Sequence, residues 1–132
     1  MATVVMSIIM IIGKVTEMAP MPAPIPIAIV KNIIGEATKP FIMLLAIVAH
    51  LGYGGAFGGA LALLIDPVTV KKAVGLSLAL WIIMQIIVLP FIGWGVFGSA
   101  ITPKIAVATL ILHLVYGFVF GIFMDRKNIV KD

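Results

Sequence analysis

Long apolar runs fill most of this chain and decide what it can fold into. The clearest run extends from Phe41 to Ile65, and two others extend from Ala73 to Leu89 and from Lys104 to Met124. Lysines, prolines or aspartates bound each run, and Pro90 kinks or ends the second. A helix needs about 20 apolar residues to cross a bilayer. Each run is therefore predicted to be a transmembrane helix.

The composition supports this interpretation. Of the 132 residues, 63% are hydrophobic and 11% are charged, and the mean hydropathy is +1.29. A soluble domain of this size could not keep so much apolar surface from water. The chain is predicted to be an all-α integral membrane protein with a single membrane domain over residues 1–132. Nothing pairs its lysines with surface aromatics, so no nucleic acid is expected, and the absence of cysteine excludes thiolate sites.

A further span is predicted over Ala2 to about Ala19, which gives four transmembrane helices in total. The alternative is that residues 1–19 lie in the membrane interface. Alternating prolines from Pro20 to Pro26 cannot continue a helix, so they predict an extended connection. The segment from Ile27 to Lys39 has an apolar side, which suits a short interfacial helix. A simple tethering loop is an equally acceptable interpretation.

The basic residues predict how the chain is oriented. With four spans, one side carries five basic residues and the other carries four. The pairs Lys71-Lys72 and Arg126-Lys127 lie close to span ends, where the positive-inside rule acts most strongly, and Lys131 falls on the same side. We therefore expect a multi-pass protein of the plasma membrane with both termini in the cytoplasm.

One short pattern occurs twice, in the second and fourth predicted spans. The residues His50-Leu-Gly-Tyr53-Gly54-Gly-Ala-Phe-Gly58 and His113-Leu-Val-Tyr116-Gly117-Phe-Val-Phe-Gly121 both read H-L-x-Y-G-x-x-x-G. Each copy follows another span, so the pattern predicts a duplicated two-helix hairpin. The first repeat would cover about residues 2–66 and the second about 71–125. Such a repeat is parallel, which places both histidines at similar depth from one face.

An ionisable residue in hydrocarbon is a functional-site hypothesis by default. His50 and His113 are therefore the candidate ligand-binding residues, and haem b with two axial histidines is the candidate cofactor. The small residues Gly54, Gly58, Gly117 and Gly121 would let a helix or a flat ligand approach closely. The hydroxyl groups of Tyr53 and Tyr116 would lie nearby and would also need hydrogen-bond partners.

The chain also resembles a known family. The features are a methionine within the first helix, the proline-rich connection, the two histidine patterns, and the stretch Leu89-Pro90-Phe-Ile-Gly93-Trp-Gly95-Val-Phe97-Gly98. They are similar to those of small four-helix prokaryotic membrane proteins known only as a domain of unknown function. The resemblance covers roughly residues 3–124. It implies a four-helix membrane fold and brings no established activity.

Several functions fit these features. The first expectation is an accessory or structural subunit of a larger membrane complex, respiratory complexes included, with other membrane subunits as partners. The first alternative is a bis-histidine haem b protein that transfers electrons. The second is a small transporter with the histidines as a proton relay, although every carboxylate lies near a span end. No nucleophile–base pair, paired carboxylates or phosphate loop is visible, so we expect no catalytic activity.

Overall fold

The computed structural model describes residues 1–65 and 67–129, and within them all regular structure is helical. This confirms the all-α class. We number five helices along the chain: α1 (Ala2–Val15), α2 (Ile25–Ile34), α3 (Lys39–Leu64), α4 (Val70–Phe91) and α5 (Lys104–Ile129). Lys131, which entered the prediction of orientation, lies outside the described residues.

Three helices are long and apolar enough to cross a membrane: α3, α4 and the part of α5 up to Arg126. Their starts follow from local sequence. Pro40 occupies the first turn of α3, where its missing N–H costs nothing. Thr69 precedes α4, and its hydroxyl oxygen accepts a 3.4 Å hydrogen bond from the backbone N–H of Lys72.

The fourth predicted span is not present in the described chain. Helix α1 has 14 residues, which gives a length of about 21 Å and is too short to cross. It ends at Val15 because the backbone leaves helical geometry: Glu17 has φ of +58°. At its other end, Thr3 packs against Gly54, the sixteenth residue of α3 counted from Lys39. Helix α1 therefore begins beside the middle of α3.

Helix α2 lies where a short helix was predicted in place of a loop, but it begins at Ile25, two residues before the predicted start, and ends at Ile34. Pro26 lies in its first turn, so the proline-rich connection is shorter than the sequence suggested. Val30 packs against Ile42 and Ala46 of α3. The side-chain amide of Asn32 donates a 3.0 Å hydrogen bond to the carbonyl of Phe91, which joins α2 to the end of α4.

Helices α4 and α5 form the most extensive helix pair, and α1 packs against α5 and α3. Residues Met84–Val88 of α4 form a π-helical segment, in which the N–H of Leu89 reaches the carbonyl of Met84. Pro90 lies just beyond it, and a proline ring displaces the carbonyl four residues earlier. The connection to α5 folds back tightly. Trp94 is buried there, and Gly98 adopts φ of +73° against Ile105.

Candidate functional site

The two histidines line one cavity. His50 of α3 and His113 of α5 face a space of about 250 Å³ that is also bounded by α1, α2 and α4. Most of the wall is apolar, with Met6, Leu80 and Leu112 among its residues. The polar remainder comes from the two imidazoles together with threonine and tyrosine side chains. No Asp or Glu of the described chain lines the cavity.

The histidines lie at nearly the same depth. Counted from the helix starts, His50 is about 16 Å along α3 and His113 is about 14 Å along α5. A hydrogen bond fixes this register, because the Tyr116 hydroxyl donates to the Gly54 carbonyl at 2.8 Å. Both rings therefore lie near the middle of the long helices.

His113 is held in one orientation by its own helix. Its Nδ1 lies 2.8 Å from the backbone carbonyl of Thr109. A carbonyl oxygen can only accept a hydrogen bond, so Nδ1 must carry the proton. In the neutral ring the lone pair is then on Nε2. Histidines that bind metals are often oriented by the same kind of bond to a backbone carbonyl.

His50 differs from His113 in its hydrogen bonding. Its ring is partly buried, and its Nε2 atom is buried without a hydrogen-bond partner among the described residues. A buried polar atom left in this way is uncommon in folded proteins. His50 Nε2 is therefore the polar atom at this cavity that is most in need of a partner.

A network of hydrogen bonds lies beside His113 and centres on Thr109. The Thr109 hydroxyl donates to the carbonyl of Ile105 at 2.8 Å. It accepts from Nε2 of Gln85 at 2.8 Å and from Nε1 of Trp81 at 3.2 Å. The sequence patterns considered above did not point to Thr109 or Trp81. The available signal was that Thr109 lies four residues before His113, and that Trp81 and Gln85 lie four apart on an apolar helix.

The two tyrosines have different roles, and neither hydrogen-bonds to a histidine in the described contacts. Tyr116 is buried and its hydroxyl joins α5 to α3 through Gly54. Tyr53 is 44% exposed and packs against Phe57, with ring centroids 4.7 Å apart. Tyr53 also lines the cavity, at the outer surface of α3.

The four glycines of the repeated pattern serve helix packing. A Cβ atom added at any of them would meet a neighbouring helix. The nearest groups are Thr3 for Gly54, the Tyr116 hydroxyl and Phe120 for Gly58, Ser77 and Val74 for Gly117, and Val70 and Ala73 for Gly121. These four glycines therefore make room for neighbouring helices.

The size of the cavity limits what it can hold. Sites that enclose drug-sized ligands usually measure about 300–1,000 Å³, and this cavity is smaller. A haem would fit between His50 and His113 only if α3 and α5 moved apart. Among the described residues, no group of three or more His, Cys, Asp or Glu side chains could hold a metal ion.

A second feature lies on the outer surface of α3. Gly52, Gly55, Ala56, Gly59 and Ala60 are all exposed, and we refer to them as the small face. A Cβ atom added at any of these three glycines would meet nothing within 4 Å. The same helix therefore carries two sets of glycines: Gly54 and Gly58 are covered, whereas those of the small face are open.

Comparisons with protein-family models, curated proteins and solved structures found no match to this chain. Its class therefore follows from its own fold and site. It is an all-helical protein with three helices long and apolar enough to cross a membrane. A cavity with two histidines lies midway along those helices.

Proposed function

We propose that this chain is an accessory subunit of a larger complex in the plasma membrane. It would bind another membrane protein of that complex through the small face of α3. The observation that carries the proposal is that Gly52, Gly55 and Gly59 are exposed, and no part of the described chain lies within 4 Å of a Cβ atom added to them. In lipid there is no hydrophobic force between helices, so association depends on close packing. Small residues permit that packing, because they let two backbones approach each other.

The energetics of glycine support a partner at this face. Each glycine within a helix costs about 1 kcal/mol relative to alanine. At Gly54 the cost is offset, because only glycine leaves room for Thr3 of α1. At Gly55 and Gly59 nothing within the described chain offsets it. A helix of another protein that packs closely against the small face would offset the cost of these glycines.

The test is to recover the tagged protein from native membranes and identify what is cross-linked to it in fixed proportion. We expect Gly55→Leu and Gly59→Leu to reduce that recovery at least tenfold. Gly75→Leu is the matched control, because Gly75 lies on α4, is exposed, and has nothing within 4 Å of an added Cβ atom. Equal recovery from all three variants would refute the proposal. Cross-linking of Gly55→Cys to a second copy would identify self-association in place of a different partner.

We also propose that the loop between α3 and α4 and the end of α5 at Arg126 face the cytoplasm. Lys71, Lys72 and Arg126 lie there, and basic residues near span ends favour the cytoplasmic side. A cytoplasmic N-terminus would require a fourth crossing. Helix α1, at about 21 Å, is too short to supply that crossing. Of the expectation that both termini are cytoplasmic, we therefore keep only the part that concerns the C-terminal end of α5.

Ligation of haem b is a second candidate function. The observation that favours it is the pair His50 and His113 on one cavity, with the lone pair of His113 placed on Nε2 by Thr109. The absorption spectrum of the protein purified from haem-replete cells provides the test. A Soret band that His50→Ala and His113→Ala both abolish would support it. A colourless, folded protein would exclude it.

A further inference from the structure

The cavity between the histidines has the properties of a binding site for a small membrane-soluble molecule. Its volume of about 250 Å³ suits one substituted ring, and its walls are mostly apolar, with Met84 and Leu112 among them. An ion would leave most of this space unfilled. A fatty acyl chain would fill it but would leave the buried Nε2 of His50 without a partner.

The cavity reaches the outer surface of the helix bundle. Ala49 and Tyr53 line it, and both are also exposed on the outside of α3. They are the eleventh and fifteenth of the 26 residues of α3, counted from Lys39, so this opening lies near the middle of a membrane-crossing helix. A ligand would therefore enter sideways from the bilayer, and an attached hydrocarbon chain could remain in the lipid.

The imidazoles decide which polar groups the ligand must carry. Because Nδ1 of His113 donates to Thr109, a neutral His113 offers an acceptor at Nε2. The ligand therefore needs a hydroxyl or another donor there. His50 Nε2 can donate or accept according to its tautomer, so a second hydroxyl suits it. A ring with hydroxyl groups on opposite edges can face both histidines from one position.

We propose that this cavity binds the hydroxylated ring of a membrane-soluble quinol, with its hydrocarbon chain directed to lipid past Ala49 and Tyr53. The reduced ring binds better than the oxidised ring. A quinone carries only acceptors, so it cannot donate to His113 Nε2. No residue that lines this cavity belongs to the small face of α3, and the two proposals can fail independently.

The experiment uses the fact that the chain has only two histidines. The full-length protein, labelled with ¹⁵N-histidine in lipid nanodiscs, is titrated without oxygen with decylhydroquinone. Decylbenzoquinone and decylbenzene serve as matched probes. We expect the hydroquinone to shift the ring-nitrogen signals of both histidines at concentrations at least tenfold lower than the quinone. Decylbenzene should leave both signals unchanged.

Two variants test whether the ligand binds in this cavity or elsewhere on the protein. Ala49→Phe places a large side chain at the opening of the cavity, at an exposed position, and we expect binding at least tenfold weaker. Val48→Phe adds the same bulk at an exposed neighbour that does not line the cavity, and it should bind normally. Equal shifts with all three probes, or equal binding by both variants, would overturn the proposal. A Soret band in the purified protein would also overturn it, because haem would occupy the same space.

Discussion

At the scale of single residues, the hydroxyl group of Thr109 joins the interior polar side chains of α4 to α5. Thr109 accepts hydrogen bonds from Gln85 and Trp81, and its backbone carbonyl orients His113. Water cannot replace these bonds readily in an apolar helix bundle, so a missing partner costs free energy. The side chain of Thr109 thus couples α5 to α4, and its backbone contributes to the geometry of the cavity.

Replacing Thr109 with valine tests this coupling. The variant keeps the shape of the side chain. It removes the acceptor of Gln85 Nε2 and leaves Trp81 Nε1 with only the Ala106 carbonyl, at 3.2 Å. We expect the free energy of unfolding to fall by about 1–2 kcal/mol, as measured by denaturant titration in detergent micelles. Thr38→Val is the control, because Thr38 is exposed and its side chain makes no cap hydrogen bond to α3. Equal stability of the two variants would show that the network contributes nothing.

At the scale of secondary-structure elements, the glycines of α3 and α5 decide how closely the helices approach. Gly117 and Gly121 face α4, and a Cβ atom at Gly121 would lie 2.6 Å from the Cα atom of Val70. Only glycine permits such contact between backbones. Gly55, by contrast, faces no other part of the described chain.

This difference predicts opposite effects of the same substitution. Gly117→Ala should lower the free energy of unfolding by about 1–3 kcal/mol, because its methyl group would meet Ser77 and the Cα atom of Val74. Gly55→Ala should be neutral or should stabilise the isolated protein by up to about 1 kcal/mol, because alanine favours the helix. Thermal unfolding of both variants in the same detergent checks this. A similar loss in both would contradict the assignment of open and covered glycines.

Hydrophobic patterns located the three long helices well, because length and apolar character suffice to identify such elements. The pairing of His50 with His113 on one cavity also agrees with their predicted common depth.

The end of α1 was harder to foresee, since residues 16–19 contain no proline or glycine and the turn rests on the positive φ of Glu17. The contact between Tyr116 and Gly54 depends on how two distant helices pack, which no local pattern encodes. The duplication of the hairpin remains a prediction, and the helices that begin the two repeats differ in length: α1 has 14 residues and α4 has 22.

At the scale of the whole molecule, three crossings order the basic residues into two groups. Lys39 and Lys104 begin α3 and α5, whereas Lys71 and Arg126 lie at the opposite ends of the long helices. All four side chains are exposed. Three crossings that alternate in direction require Lys39 and Lys104 to lie on one side of a membrane, with Lys71 and Arg126 on the other.

The absence of cysteine makes this arrangement directly testable. Single cysteines at Lys39, Lys71, Lys104 and Arg126 can be labelled in sealed, right-side-out vesicles with a maleimide that does not cross membranes. We expect Lys39→Cys and Lys104→Cys to react in intact vesicles. Lys71→Cys and Arg126→Cys should react only after the vesicles are opened, because the positive-inside rule places them in the cytoplasm. The reverse pattern would invert the orientation while preserving the fold. Labelling of Lys39→Cys and Lys71→Cys from the same side would mean that α3 does not cross the membrane, and a cavity near its middle could then not be reached from lipid.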